Sequence, residues 1–176
     1  MDKPMPNWAF AGMSFIFKIR DAIRPPEKVL AEVDIRPGYQ VLDYGCGPGA
    51  LTIAAARMVG AKGKVVALDL HPKAIESVRA HAAAAGIKNI QPVLAGSPHE
   101  LGNEQFDVVL LYDIFHMMGE QEKALRELHR ILKPNKILSF SDHHMKEAEI
   151  QEKMTSGGFF SLKERGKRTY TFAKIS

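Results

Sequence analysis

Cysteine is almost absent: Cys46 is the single copy among 176 residues. An intramolecular disulfide framework is therefore excluded, and so is a zinc site built from several thiolates. An excess of one charge sign is missing as well, since 24 Lys+Arg stand against 20 Asp+Glu, a formal net charge of +4. Nucleic-acid binders concentrate more basic charge on one face, so nucleic acid is not the expected partner. Long hydrophobic runs are lacking too. The longest near the start, residues 8–17, is about ten residues, roughly half of a membrane span. Its length suits a signal-peptide core, but Asp2 and Lys3 before it cancel and no small-residue cleavage site follows. The segment reads as an amphipathic surface helix, and the protein as cytoplasmic with no membrane partner. Internal repeats and low-complexity stretches are also absent.

With 45% of residues hydrophobic and 25% charged, the chain is expected to bury one proper core and not to be disordered. Residues 1–176 read as one domain, an N-terminal helical segment over 1–34 followed by a core over 35–176. Pro25-Pro26 divides the first part into helical pieces over 12–23 and 26–34. Beyond it strands and helices alternate. Val41-Leu42 enters a glycine cluster, and an alanine-rich helix ends at Gly60. Residues 64–68 (KVVAL) form a second strand ending at Asp69. Pro72 opens the next helix and Gly86 follows its end. Residues 90–95 form a third strand. Residues 106–112 (FDVVLLY) form a fourth, continuous enough to be covered on both faces. A helix over 120–132 carries Leu125, Leu128, Ile131 and Leu132 on one stripe. Lys133-Pro134-Asn135 is expected to end it before a fifth strand over 137–140. A helix over 146–154 and two runs, 159–163 and 169–175, close the chain, the last two as an antiparallel hairpin. This alternation predicts an α/β fold with a mostly parallel sheet and helices on both faces.

The most informative stretch is Val41-Leu42-Asp43-Tyr44-Gly45-Cys46-Gly47-Pro48-Gly49, a strand running into a helix through a glycine turn. Glycines let a ligand approach the main chain closely. Dinucleotide-binding loops space their last two glycines by three, whereas Gly45-x-Gly47-x-Gly49 spaces them by two. Asp43 stands beside the loop, where a carboxylate repels a pyrophosphate and attracts an ammonium or sulfonium. Asp69, at the end of the second strand, is placed to take both hydroxyls of a ribose. NAD proteins share that last feature, so the first two decide against them.

These motifs resemble the class I S-adenosylmethionine-dependent methyltransferases. The likeness runs over residues 34–175 and includes VLDYGCGPG, VVALDL, FDVVLLYDIFH and ELHRILKPNKIL. The last is similar to the family's R-x-L-K-P-G-G lead into the fifth strand, with Asn135 and Lys136 in the glycine places. By appearance the nearest subgroup is the small-molecule type that includes quinone-biosynthesis C-methyltransferases. The resemblance implies a Rossmann-like three-layer sandwich whose seven-stranded sheet ends in an antiparallel strand. It implies S-adenosyl-L-methionine as cofactor, with Asp43 toward the methionine amino group and the backbone of Gly45, Cys46, Gly47 and Gly49 lining the site. Asp69 then holds the ribose hydroxyls, Leu70 packs on the adenine, and Tyr112 lies under the sulfonium. Gly96-Ser97-Pro98 occupies the place of the family's G-D-A, so Ser97 offers a neutral acceptor, weaker by roughly half than a carboxylate.

The expected activity is in-line methyl transfer to a small organic acceptor. Such a displacement needs alignment and exclusion of water, and a base only where the nucleophile must lose a proton. His116 and Asp113, after the fourth strand, are the candidate bases, although His116 also suits the cofactor pocket and Asp113 a turn cap. Asp142-His143-His144 with Glu147 reads as a loop at the substrate mouth and not as a metal site. Cys46 fills a place that any small residue suits. Trp8, Phe10, Phe15 and Phe17 suit a lid, core packing or a homodimer contact. The basic run Lys163, Arg165, Lys167 and Arg168 reads as a solvated turn. Two alternatives remain: an RNA or protein methyltransferase, and a cofactor-binding subunit without catalysis that needs a partner. The short loops leave little chain for acceptor recognition, so the acceptor is small or a second subunit completes the pocket.

Overall fold

The strands are β1 (Gln40–Tyr44), β2 (Lys64–Asp69), β3 (Ile90–Leu94), β4 (Phe106–Tyr112), β5 (Leu132–Ser141), β6 (Phe160–Arg165) and β7 (Tyr170–Lys174). The helices are α1 (Pro26–Leu30), α2 (Ala50–Val59), α3 (Pro72–Ala84), α4 (Gln121–Ile131) and α5 (Glu147–Thr155). The computed structural model describes residues 5–10, 12, 14, 16 and 23–175, and ahead of α1 residues 7–10, 12, 14 and 16 are helical. Most of the helical piece expected over 12–23, with Phe15 and Phe17, lies outside the described residues. One sheet takes the order β3-β2-β1-β4-β5-β7-β6. β1 through β5 pair in parallel, and β7 runs antiparallel to both β5 and β6. The expected mostly parallel sheet with an antiparallel last strand is what forms.

Alternate side chains of each strand point to opposite faces, and this period builds two cores. Val41, Val65, Val108 and Leu110 face Leu30, Ala54, Ala55 and Val59 of α1 and α2. Leu42, Val66, Val109 and Leu111 face Leu125, Leu128 and Ile131 of α4 and the aromatic layer of Phe115, Phe140 and Phe172. Because β4 is buried on both faces, truncating one of its leucines to alanine costs about 2–5 kcal/mol. The α4 helix shows the same economy of pattern. Its leucine stripe is buried, and its outer face is laced by the pairs Glu122–Arg126 at 3.2 Å and Glu127–Arg130 at 2.8 Å.

Several element boundaries differ by a residue or two from the sequence reading, and two differ by more. The α1 helix is shorter than 26–34: it ends at Leu30, and Val33 and Ile35 turn into the core under the sheet. The fifth strand begins at Leu132, directly after α4, and not at Ile137. Lys133-Pro134-Asn135 belongs to a register irregularity in that strand, where Phe106 faces Leu132 but Val108 faces Ile137. Asn135 takes a left-handed φ of 61°, which asparagine tolerates better than most residues, so no glycine is needed there. The irregularity is pinned by Asp107, which accepts from Lys133 at 2.8 Å and from the Gln40 amide at 2.9 Å and pairs with Lys136 at 3.2 Å. Burial alone pushes the Asp107 carboxyl up, but these donors more than offset it and hold the group below its ordinary range.

Candidate active site

Parallel strands that part where the chain reverses its direction of travel leave a crevice at their carboxyl ends. The chain leaves β1 toward β2 and β3, then returns to β4 on the other side. A cavity of about 570 Å³ opens there.

One wall is carried by β1, β2 and the glycine loop. The loop is fastened to β2, since the Gly45 and Cys46 amides donate to the Leu68 carbonyl at 2.8 and 3.1 Å. Asp69 closes it from the side. Its two carboxylate oxygens accept from the amides of Gly47 at 2.9 Å and His71 at 2.8 Å. Asp43 is 3% exposed and accepts from the Thr52 hydroxyl of α2 at 2.5 Å. Burial pushes its pKa up to about 6; Thr52 opposes that shift and the charge of Asp69 adds to it. A buried carboxylate with one hydroxyl donor is short of partners, an environment that favours a cationic group beside it. His71 caps α3 by accepting the Lys73 amide at its Nδ1, 3.1 Å away. Its Nε2–H therefore donates to the Met5 carbonyl at 2.9 Å, and Phe10 stacks on its ring at 4.4 Å. Phe10 is thus packed on the cavity's edge.

Asp43, Gly45, Cys46, Gly47, Asp69, Leu70, Gly96 and Tyr112 all line the cavity. Gly49, Ser97, Pro98 and His116 do not. Gly49 opens α2 at φ 94°, and a Cβ there would stand 2.7 Å from Val78 Cγ2, so this glycine serves the packing of α2 on α3. Pro98 is buried at the start of a 3₁₀ turn (Pro98–Glu100) whose Pro98 and His99 carbonyls accept from Arg130, which places Ser97 and Pro98 behind Gly96. The Cys46 thiol is buried, and that burial, with Asp43 and Asp69 nearby, raises its pKa far above the ordinary range. It is an inert, small lining residue.

The opposite wall is made of side chains that cross between strands. After β4 the backbone turns at Asp113, whose φ of 56° is left-handed, with its amide donating to the Ser141 carbonyl at 2.7 Å. Asp113 Oδ1 accepts from His143 Nδ1 at 2.8 Å and from its amide at 3.2 Å. Asp142 returns the favour from β5. Its Oδ2 accepts from His116 Nδ1 at 2.8 Å and from the His116 amide at 3.1 Å. The His144 ring lies 4.3 Å from that of His116 and 3.9 Å from that of His143. Tyr112 shares a hydrogen bond with Ser139 at 2.7 Å, and burial keeps its phenol protonated. Of the two candidate bases, Asp113 lines the cavity and orients a histidine, whereas His116 stands behind the cavity-lining Asp142, to which it is bonded. His143 lines the cavity and was not singled out in the sequence as a base. Among the described residues no group of three or more His, Cys, Asp or Glu is arranged to hold a metal ion.

The basic run on the β6–β7 turn is exposed, as a solvated turn is, and Arg165, Lys167 and Arg168 also border the cavity. The topology carried a signal for this. A last strand antiparallel to β5 places its start beside the carboxyl end of β5, where Tyr170 pairs with Phe140.

A sequence profile described as a methyltransferase domain matches residues 35–174. The chain belongs to this family of class I S-adenosylmethionine-dependent methyltransferases. S-adenosyl-L-methionine is accordingly its cofactor, and the carboxylate pair with the glycine loop fits it. A crystal structure of such a methyltransferase from Aquifex aeolicus is 27% identical, with a TM-score of 0.78 over 92% of this chain and 96% of that one. A ubiquinone/menaquinone biosynthesis C-methyltransferase of Vibrio vulnificus is 33% identical over 101 residues, 56% of this chain and 39% of the relative. A demethylmenaquinone methyltransferase of Symbiobacterium thermophilum is 31% identical over 107 residues, 60% of this chain and 43% of the relative. The chain thus spans less than half the length of these two curated relatives. No helix among the described residues is long and apolar enough to cross a membrane.

Proposed function

We propose that this methyltransferase transfers a methyl group to a small organic acceptor held between the two walls of the cavity. The supporting observation is that one cavity joins the buried Asp43 and the half-buried Asp69 to the His143–Asp113 pair. When bound, S-adenosyl-L-methionine supplies a methyl on a sulfonium, a carbon already activated for in-line displacement. Asp43 and Asp69 hold the cofactor's amino end and ribose, the amides and small side chains of the loop allow close approach, and Leu70 and Gly96 flank its base. Tyr112 stays neutral and walls off the floor. A cavity of about 570 Å³ that also holds the cofactor suits a small acceptor.

His143 takes the proton that the acceptor loses. Asp113 accepts from Nδ1–H, which leaves the Nε2 lone pair as the proton acceptor. Calorimetry with S-adenosylhomocysteine tests the cofactor assignment. The wild type binds, and Asp69→Ala weakens binding about 10- to 100-fold, the range for losing hydrogen bonds to a charged group. A wild type that does not bind overturns this reading.

A further inference from the structure

The cavity that Asp43 and Asp69 line also carries a set of cationic side chains. Arg24, Arg165, Lys167 and Arg168 line the cavity from two segments far apart in sequence. Arg165 is committed, with its Nε on Glu147 at 3.0 Å and its Nη1 on the Gly166 carbonyl at 3.1 Å. No carboxylate among the described residues pairs with the side chains of Arg24, Lys167 or Arg168. The one acid that reaches the turn, Glu32, binds its backbone instead. It accepts from the Arg168 amide at 2.9 Å, the Thr169 amide at 3.1 Å and the Thr169 hydroxyl at 3.2 Å. The turn is further closed by the Gly166 amide on the Thr169 carbonyl at 2.8 Å. Two cations are therefore presented from a pinned backbone, with their charges uncompensated.

The other acids at this mouth are also engaged: Asp113 with His143, and Asp142 with His116 and the His144 amide. The same cavity is lined by the apolar Met117, Met118, Met145 and Ile150. Methionines make an adaptable surface for a flat or irregular apolar body. Paired cations at one end of such a surface select a ligand with an anionic group at one end.

Resting on the methyl-transfer reading above, we infer that the acceptor is an organic anion, an apolar body carrying a carboxylate or phosphate that Lys167, Arg168 and Arg24 hold at the mouth. Anchoring that group fixes the register of the acceptor, so that its nucleophilic atom lies toward His143 and the methyl-donor side. A neutral acceptor of the same shape lacks this anchor.

The test titrates the protein saturated with S-adenosylhomocysteine with benzoate, phenyl phosphate and benzyl alcohol, followed by amide shifts in NMR spectra. Saturable shifts at residues 24 and 166–169 are expected with at least one of the two anions, benzoate reporting a carboxylate site and phenyl phosphate a phosphate site. Benzyl alcohol is expected to leave them unmoved. The double variant Lys167→Ala/Arg168→Ala weakens anion binding at least tenfold and leaves S-adenosylhomocysteine affinity within twofold. Equal binding of the neutral compound, no saturation by either anion, or an unaltered double variant overturns the inference. Tighter binding of a ten-nucleotide single-stranded RNA than of both anions overturns it in favour of a nucleic-acid acceptor. The same titration without S-adenosylhomocysteine separates the two readings. An anion response in a protein that does not bind S-adenosylhomocysteine retains the anion site and removes its role in methyl transfer.

Discussion

The wall on β1 and β2 is shaped mainly by backbone, and the wall on β4, β5 and the β6–β7 hairpin mainly by side-chain pairs. On the first, Asp69 binds two amides and the Leu68 carbonyl takes two more, so the glycine loop has one conformation set by local hydrogen bonds. On the second, Asp113–His143 and Asp142–His116 each join residues from different strand ends. A backbone-built wall is rigid and suits a cofactor of constant shape. A wall of paired side chains is replaceable residue by residue, and acceptor choice is the property that varies on a common fold.

The largest effect expected from breaking this contrast is on rate. His143→Ala lowers the methyl-transfer rate constant about 10²- to 10⁴-fold, the usual worth of a general base, and leaves S-adenosylhomocysteine affinity unchanged. Single-turnover kinetics beside calorimetry check it. Equal losses in rate and cofactor affinity would mean that His143 shapes the cofactor wall instead.

Substitution in the loop has the reverse signature. A Cβ at Gly45 would stand 2.5 Å from Ile114 Cδ1, at a φ of 77°. Gly45→Ala is expected to cost about 1–3 kcal/mol of stability and to weaken S-adenosylhomocysteine binding. Gly49→Ala meets Val78 in place of the cavity and costs similar stability with cofactor affinity largely kept. Thermal unfolding with and without ligand separates the two. Loss of affinity in Gly49→Ala alone would reverse their assigned roles.

The smallest effect concerns Tyr112. Removing its hydroxyl leaves Ser139 without a partner, so Tyr112→Phe should cost about 1–2 kcal/mol in denaturant unfolding and change cofactor affinity less than threefold. A tenfold loss of affinity would show that the hydroxyl, and not the ring, meets the cofactor.

The same contrast explains what the sequence made legible. Neighbouring parallel strands bring Asp43, the glycines and Asp69 together through short segments, so their spacing carried the cofactor wall. The fold followed from strand and helix periods that each segment shows alone. The acceptor wall depends on β4 and β5 lying side by side and on a reversed last strand. His143 and Arg168 read as loop residues and are loop residues, and only the pairing of distant strands brings them to one cavity. Gly49 and Pro98 hold motif positions of the family, and the fold shows in addition that Gly49 packs α2 on α3 and Pro98 opens a turn. Lys133-Pro134-Asn135 looked like a break because proline and asparagine favour turns, while Asp107 and two lysines hold that segment within β5.

In the proposed function, the buried Asp43 carboxylate, which has one hydroxyl donor, is completed by the cationic end of the cofactor. Its folded pKa of about 6 lies above the ordinary carboxylate value. The stability that the protonated group contributes in acid is therefore lost as the pH rises through 6, about 3 kcal/mol at 1.36 kcal/mol per unit. A cationic ligand needs the ionised form, so its affinity runs the other way. The decisive measurement is the S-adenosylhomocysteine dissociation constant between pH 5 and pH 8, for the wild type and Asp43→Asn. The wild type should bind about tenfold more tightly at pH 7 than at pH 5, and the variant should bind weakly with no step near pH 6. A wild-type affinity that is flat across pH 6, or a variant that keeps the step, would contradict the account.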